Sequence, residues 1–291
     1  MLLQFLINGI ISGSLIAIMA IGFWFIYRAT NLFHIAHGAV YTASVYIFYA
    51  LYATLGSSLY MSLPFALISG GILGFAMYYV VYRSLEKKNA SAGVKFISSL
   101  AIYIFIVNIV ALTYGNETKI LSEGLSDSLS FGNVILTKIQ IYQFISFLML
   151  FILSYSFIQG TKAGRAIRAI GDNPVLFKAI GLNEKRVKIM VFSIGSAIAA
   201  MASILTGLDV GIDPYIGMFA LLNAVVAVII GGIKRLEGVV LGAFLIGIIQ
   251  NLVIWQFSAR WESAVTFFIL VMVLLYKSGG LFVVKRRVEE L

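Results

Sequence analysis

Gly160 to Lys188 reads GTKAGRAIRAIGDNPVLFKAIGLNEKRVK, the one long polar interruption in a chain that is otherwise almost continuously apolar. It holds seven cations (Lys162, Arg165, Arg168, Lys178, Lys185, Arg186 and Lys188) against two acids, Asp172 and Glu184. Ala163 to Ile170 has the composition of one short helix. Pro174 disfavours helix at the residue before it, so that helix breaks at Asn173. Pro174 then suits the first turn of a second helix, and Asn173 can cap it. The second helix is expected over 174–180, with Gly181 as its C-terminal stop. Two short helices lying on a membrane surface are one reading of the stretch. The plainer one is a basic loop that only sets topology, since such loops gather on the cytoplasmic side.

Around this stretch the composition is that of a membrane protein. The chain has 291 residues, 61% of them hydrophobic and 11% charged, with a mean hydropathy of +1.00. Those values imply a polytopic helical protein. Cysteine is absent, which excludes disulfides, thiolate metal sites and cysteine nucleophiles. A net charge of +9 would point to nucleic acid in a soluble chain. Here it has a simpler use in setting orientation, and no nucleic-acid partner is expected. Met1 to Tyr27 is too long an apolar run for a signal-peptide core and reads as a retained span.

A helix needs about 20 apolar residues to cross a bilayer. Candidate spans fall at 3–27, 34–54, 61–82, 96–113, 139–158, 188–207, 217–233, 238–257 and 263–276. Two of the nine are short, so the fold expected is an all-α bundle of eight to nine transmembrane helices in one domain, 1–291. With Met1 outside, all but Lys119, Lys138 and Arg260 of the 21 Lys/Arg lie inside, and the C-terminus is cytoplasmic. Asp209 and Asp213 then fall in an outer loop. The longest outer loop, Tyr114 to Lys138, has alternating runs over 129–136 that suit a small hairpin or a plain connector.

Small residues at helical spacing recur: Gly9 and Gly13, Gly70 and Gly74, Gly238 and Gly242, and the series Gly195, Ala199, Ser203, Gly207. They let helices approach closely in lipid. Gly231–Gly232 marks a tight turn or a broken helix.

No phosphate-binding GxxxxGK[ST] loop and no HExxH is present, so neither a bound nucleotide of that kind nor any other cofactor is called for. His34 and His37, three apart, lack a nearby third ligand for a metal and are otherwise expected to cap or hydrogen-bond near the inner interface. No span centre carries a charge. The uncharged polar residues Asn8, Ser12, Thr42, Asn108 and Asn223, together with His37, are candidates for a solute path. Interhelical hydrogen bonding is the alternative for each. A path so lined holds no fixed charge and suits a zwitterionic or neutral solute.

Three motifs carry a resemblance: NGIISGSLIAIMAIG over 8–22, NLFHIAHGAVY over 31–41, and a long set that begins at Gly164-Arg165-Ala166. That set continues through Ala179-Ile180-Gly181, DPYIG at 213–217, Gly231-Gly232-Ile233 and GVVLG at 238–242, and ends near KSGGLF at 277–282. The chain resembles the permease subunits of ABC importers for branched-chain amino acids, nearest to the H-type. His34, where the family commonly has a small or apolar residue, and Lys234-Arg235-Leu236-Glu237, in place of a blander turn, depart from the pattern. The resemblance implies inward transport of branched-chain amino acids by a non-enzymatic subunit of the cell membrane. The same kind of machine for urea or short amides, or a stand-alone carrier, is the alternative. It implies two cytoplasmic ATPase subunits, a second homologous permease or a second copy, and an extracytoplasmic binding protein. It makes 160–188 the coupling loop, with Gly164, Arg165, Arg168, Ala169, Asn173, Ala179 and Gly181 as its coupling residues. Asp209 and Asp213 are expected to help the binding protein dock.

Overall fold

The computed structural model describes residues 1–121, 127–132 and 134–276, most of them helical. Each of the nine apolar runs forms a helical segment. They are α1 (Leu2–Thr30), α2 (Ala36–Tyr49, extended by a π turn over Ala50–Thr54) and α3 (Leu59–Ala76). A π turn over Met77–Tyr82 carries α3 on into α4 (Arg83–Lys87). Then follow α5 (Ala92–Tyr114), α6 (Lys138–Gly160), the short pair α7 (Lys162–Asp172) and α8 (Pro174–Ala179), and α9 (Glu184–Val210). The chain closes with α10 (Ile216–Gly231), α11 (Leu236–Gln256) and α12 (Glu262–Tyr276). Among the described residues seven helices are long and apolar enough to cross a bilayer; α2 and the 16-residue α10 are shorter. The chain is a multi-pass helical membrane protein.

α1 is the axis of the bundle. It is apolar on every side, and a helix of that kind belongs inside. It packs against α6, α7, α9, α10 and α11. Its crossing with α9 depends on paired glycines: a Cβ on Gly22 would lie 2.6 Å from the Gly195 carbonyl oxygen, and one on Gly195 2.5 Å from that of Gly22. With no water between helices in lipid, such close van der Waals contact holds them together. The other small-residue pairs serve similarly, Gly9 and Gly13 against α11 and Gly70 and Gly74 against α9.

α5, α6 and α12 instead form the perimeter and leave Phe105, Ile152 and Phe268 exposed. At one end of the bundle, 129–136 forms the small hairpin, β1 (Ser128–Phe131) against β2 (Val134–Thr137), with Leu129 opposite Leu136. At the other end α10 stops at Gly231, and Gly232 takes a φ of 89° that a side chain would resist. The 277–282 match and the basic tail lie outside the described residues.

Candidate functional site

The stretch 160–188 is a two-helix elbow. Thr161 caps α7 by accepting from the Gly164 N–H at 2.9 Å, and Asn173 caps α8 by accepting from the Leu176 N–H at 2.9 Å. Pro174 occupies the first turn of α8, and Gly181 turns the chain out with a φ of 77°. Both helices lie within two residues of the expected bounds. Gly164 is pressed against the backbone of Phe157 and Ile158 at the end of α6. Arg165, Ala169, Asn173, Ala179 and Gly181 are exposed, while Arg168 is half-buried and donates to the Gln159 Oε1. Ile167, Ile170 and Phe177 seat the elbow on the bundle.

Its outer surface is not merely basic. Val175 is 80% exposed and Ile180 63%, with Leu176 and Leu182 beside them. Lys178 and Lys185 lie beside Leu182, and Arg186 is exposed close by in the chain. The charge pattern of the stretch hid this apolar patch.

Two ion pairs fix the elbow to the spans. Arg28, in the last turn of α1, donates to Asp172 at the end of α7 at 2.5 Å, and Gly171 lies against the Arg28 backbone. Lys188 in α9 pairs with Glu86 of α4 at 3.0 Å and with Glu184 at 3.4 Å. Displacement of α7 therefore bears directly on α1.

At the opposite end a cavity of about 400 Å³ opens among α1, α2, α9, α10, α11 and α12. Its lining is mixed, with the apolar Leu15, Met19, Ile216 and Phe219 and the polar Ser12, Asn223, Gln250, Asp209 and Glu262. Gln250 donates to Asn223 Oδ1 at 3.2 Å and to Thr266 Oγ1 at 2.7 Å, and Asn251 donates to Ser12 Oγ at 3.2 Å. Gln143, fully buried, donates to Asp209 Oδ2 at 3.1 Å.

Of the residues expected along a solute path, the structure brings Ser12 and Asn223 together. Asn8 accepts from Gln4 nearer the helix end. The Thr42 hydroxyl donates to the Pro214 carbonyl at 3.3 Å. Asn108 donates to the Ile104 carbonyl of its own helix, on the exposed face of α5. His37 is fully buried between α1 and α9. Its neighbour His34 meets the Tyr82 hydroxyl at 2.8 Å, and among the described residues no third His, Cys, Asp or Glu joins the pair.

The cavity carries charged groups that the apolar runs leave outside the spans. Asp209 and Glu262 line the cavity, because α9 runs on to Val210 and α12 begins at Glu262, beyond the apolar runs that define the spans. Asp213 does lie in the loop, accepting from the Tyr215 N–H at 2.8 Å.

The chain is thus a bundle of apolar helices with a two-helix elbow at one end and a cavity of mixed apolar and polar lining at the other, the architecture of a polytopic membrane permease. Residues 5–274 match the model of the branched-chain amino acid transport system permease component, and the chain belongs to that family. It is 30% identical to the high-affinity branched-chain amino acid transport system permease protein BraD of Pseudomonas aeruginosa, over 96% of this chain and 95% of the relative. It is 31% identical to LivH of Salmonella typhimurium and 30% to LivH of Escherichia coli K12, each over 96% of this chain and 94% of the relative.

Proposed function

We propose that the chain is the translocating subunit of an ABC importer that carries branched-chain amino acids inward across the cell membrane as one permease domain. The observation that carries this is the elbow: an exposed apolar patch with cations beside it, ion-paired to the central helix. A surface of that kind fits the groove of a partner, and here the partner is a cytoplasmic ATPase. Two such ATPases, a second homologous permease or a second copy, and an extracytoplasmic binding protein complete the machine. The elbow and the other basic loops face the cytoplasm, and Met1 lies outside. ATP-driven closure of the ATPases pushes α7, and the Arg28–Asp172 pair passes the push to α1.

The cavity supports an amino acid over urea or a short amide. Asp209 and Glu262 suit an α-ammonium group, the Asn223 amide N–H groups, its Oδ1 being held by Gln250, suit a carboxylate, and Leu15, Met19 and Phe219 suit a branched side chain. Reconstitution with the ATPases, the binding protein and the second permease tests the reading. ATP-dependent uptake of leucine should exceed that of urea. Equal uptake of both, or uptake by this chain alone without ATP, would overturn it.

A further inference from the structure

A second cavity, of about 300 Å³, lies at the elbow end of the bundle. Trp24 of α1, Ile158 of α6 and Leu236 of α11 give it an apolar lining. Its polar lining includes three cations, Arg168, Lys234 and Arg235, and one carboxylate, Glu237. Among the described residues none of these cations is ion-paired. The Trp24 indole N–H donates to the Ile233 carbonyl at 2.7 Å, which holds the 232–235 turn against α1. The surplus of positive charge therefore surrounds a formed pocket and is not spread over a loose loop. Basic pockets between transmembrane helices at this level suit phosphate headgroups.

The neighbouring surface says which phosphate. Tyr155 lines the cavity, and above it Ile152, Leu148 and Ile145 follow at spacings of three, four and three residues on the same face of α6. All four are exposed, Ile152 by 59% and Ile145 by 54%. An apolar track thus leaves the cationic pocket and runs along the span. A free anion uses only the pocket, whereas a two-part ligand with a phosphate head and hydrocarbon tails uses both.

We propose that this cavity binds the headgroup of an anionic phospholipid whose acyl chains lie along the Tyr155–Ile145 face of α6. The bound lipid bridges Arg168 on the elbow to Lys234 and Arg235 on the α10–α11 turn and steadies the elbow. This uses the Lys234-Arg235-Leu236-Glu237 segment at the α10–α11 turn.

The test needs no transport. The purified, delipidated chain is titrated with phosphatidylglycerol, phosphatidylcholine or inorganic phosphate, with bound lipid read by native mass spectrometry and thermal unfolding followed in parallel. Phosphatidylglycerol should bind saturably and raise the unfolding temperature, while phosphatidylcholine should not. At about 1 kcal/mol per basic residue, K234Q/R235Q should weaken phosphatidylglycerol roughly 30-fold. E237Q removes the one opposing charge and should tighten it, so the proposal does not rest on a loss alone. Ile152→Ser should weaken the lipid without changing any effect of phosphate. Equal binding of the two lipids, or no change in either charge variant, would overturn the site. Phosphate matching phosphatidylglycerol in affinity would overturn the lipid as its ligand.

Discussion

Asp172→Asn is expected to separate ATP hydrolysis from solute movement. Arg28 is only 9% exposed at its side chain, while Asp172 is 68% exposed. Stranding a fully buried charge costs about 3–5 kcal/mol, and breaking a fully exposed pair about 0–1 kcal/mol. With one partner of each kind the loss falls near 2 kcal/mol. Among the described residues the Arg28 Nε has no hydrogen-bond partner, so Asp172 is the one acceptor that its side chain meets there. A bias of that size toward an elbow free of α1 is about 30-fold in the equilibrium. In the reconstituted importer, ATP consumed per leucine moved should therefore rise by on the order of tenfold in D172N. Adding R28Q removes the stranded guanidinium, so the double variant should regain thermal stability in detergent while remaining uncoupled. That split distinguishes a transmitting contact from a structural one. Unchanged coupling in D172N, or coupling restored together with stability in the double variant, would refute it.

Two further variants probe the two ends of the bundle. Gly181→Val forces a β-branched residue into a φ of 77°, costing at least about 1–2 kcal/mol with no clash nearby, and should uncouple hydrolysis from uptake while membrane insertion stays normal. Tight coupling in that variant would remove Gly181 from the mechanism. Asp209→Asn takes one carboxylate from the outer cavity; a charge-assisted hydrogen bond contributes about 1.5–3 kcal/mol, so leucine uptake at a fixed level of loaded binding protein should fall about tenfold or more with basal ATP hydrolysis retained. Uptake equal to that of the unmodified chain would mean the α-ammonium does not meet Asp209.

Much of this architecture is legible in the residues because lipid leaves few alternatives: an apolar run of about 20 residues becomes a helix. Asn173–Pro174 and Gly181 likewise mark their turns by local chemistry. What escaped depends on neighbours distant in the chain. Arg28 and Asp172 are 144 positions apart, and each alone reads as one more charge at a basic end. Asp209 and Glu262 look like loop residues because their helices outrun the apolar stretches, by three residues at Val210 and by one at Glu262. Asn108 and Ser12 look alike in sequence, yet one lies on the outer face of α5 and the other on a cavity wall. The apolar patch did leave a trace. Val175, Leu176 and Phe177 are consecutive in a helix of six residues, which can bury only one side, and Phe177 takes it.

The chain has no cysteine of its own, so a single introduced thiol reports without background. Val175→Cys, at the most exposed apolar position of α8, should react with a membrane-impermeant maleimide only in inside-out vesicles. It should cross-link to an ATPase subunit, and bound ATPase should shield it from the reagent. Labelling from the outer side, or ATP-driven uptake that persists with the position modified and no ATPase cross-linked, would contradict the docking of this elbow on a motor beneath the membrane.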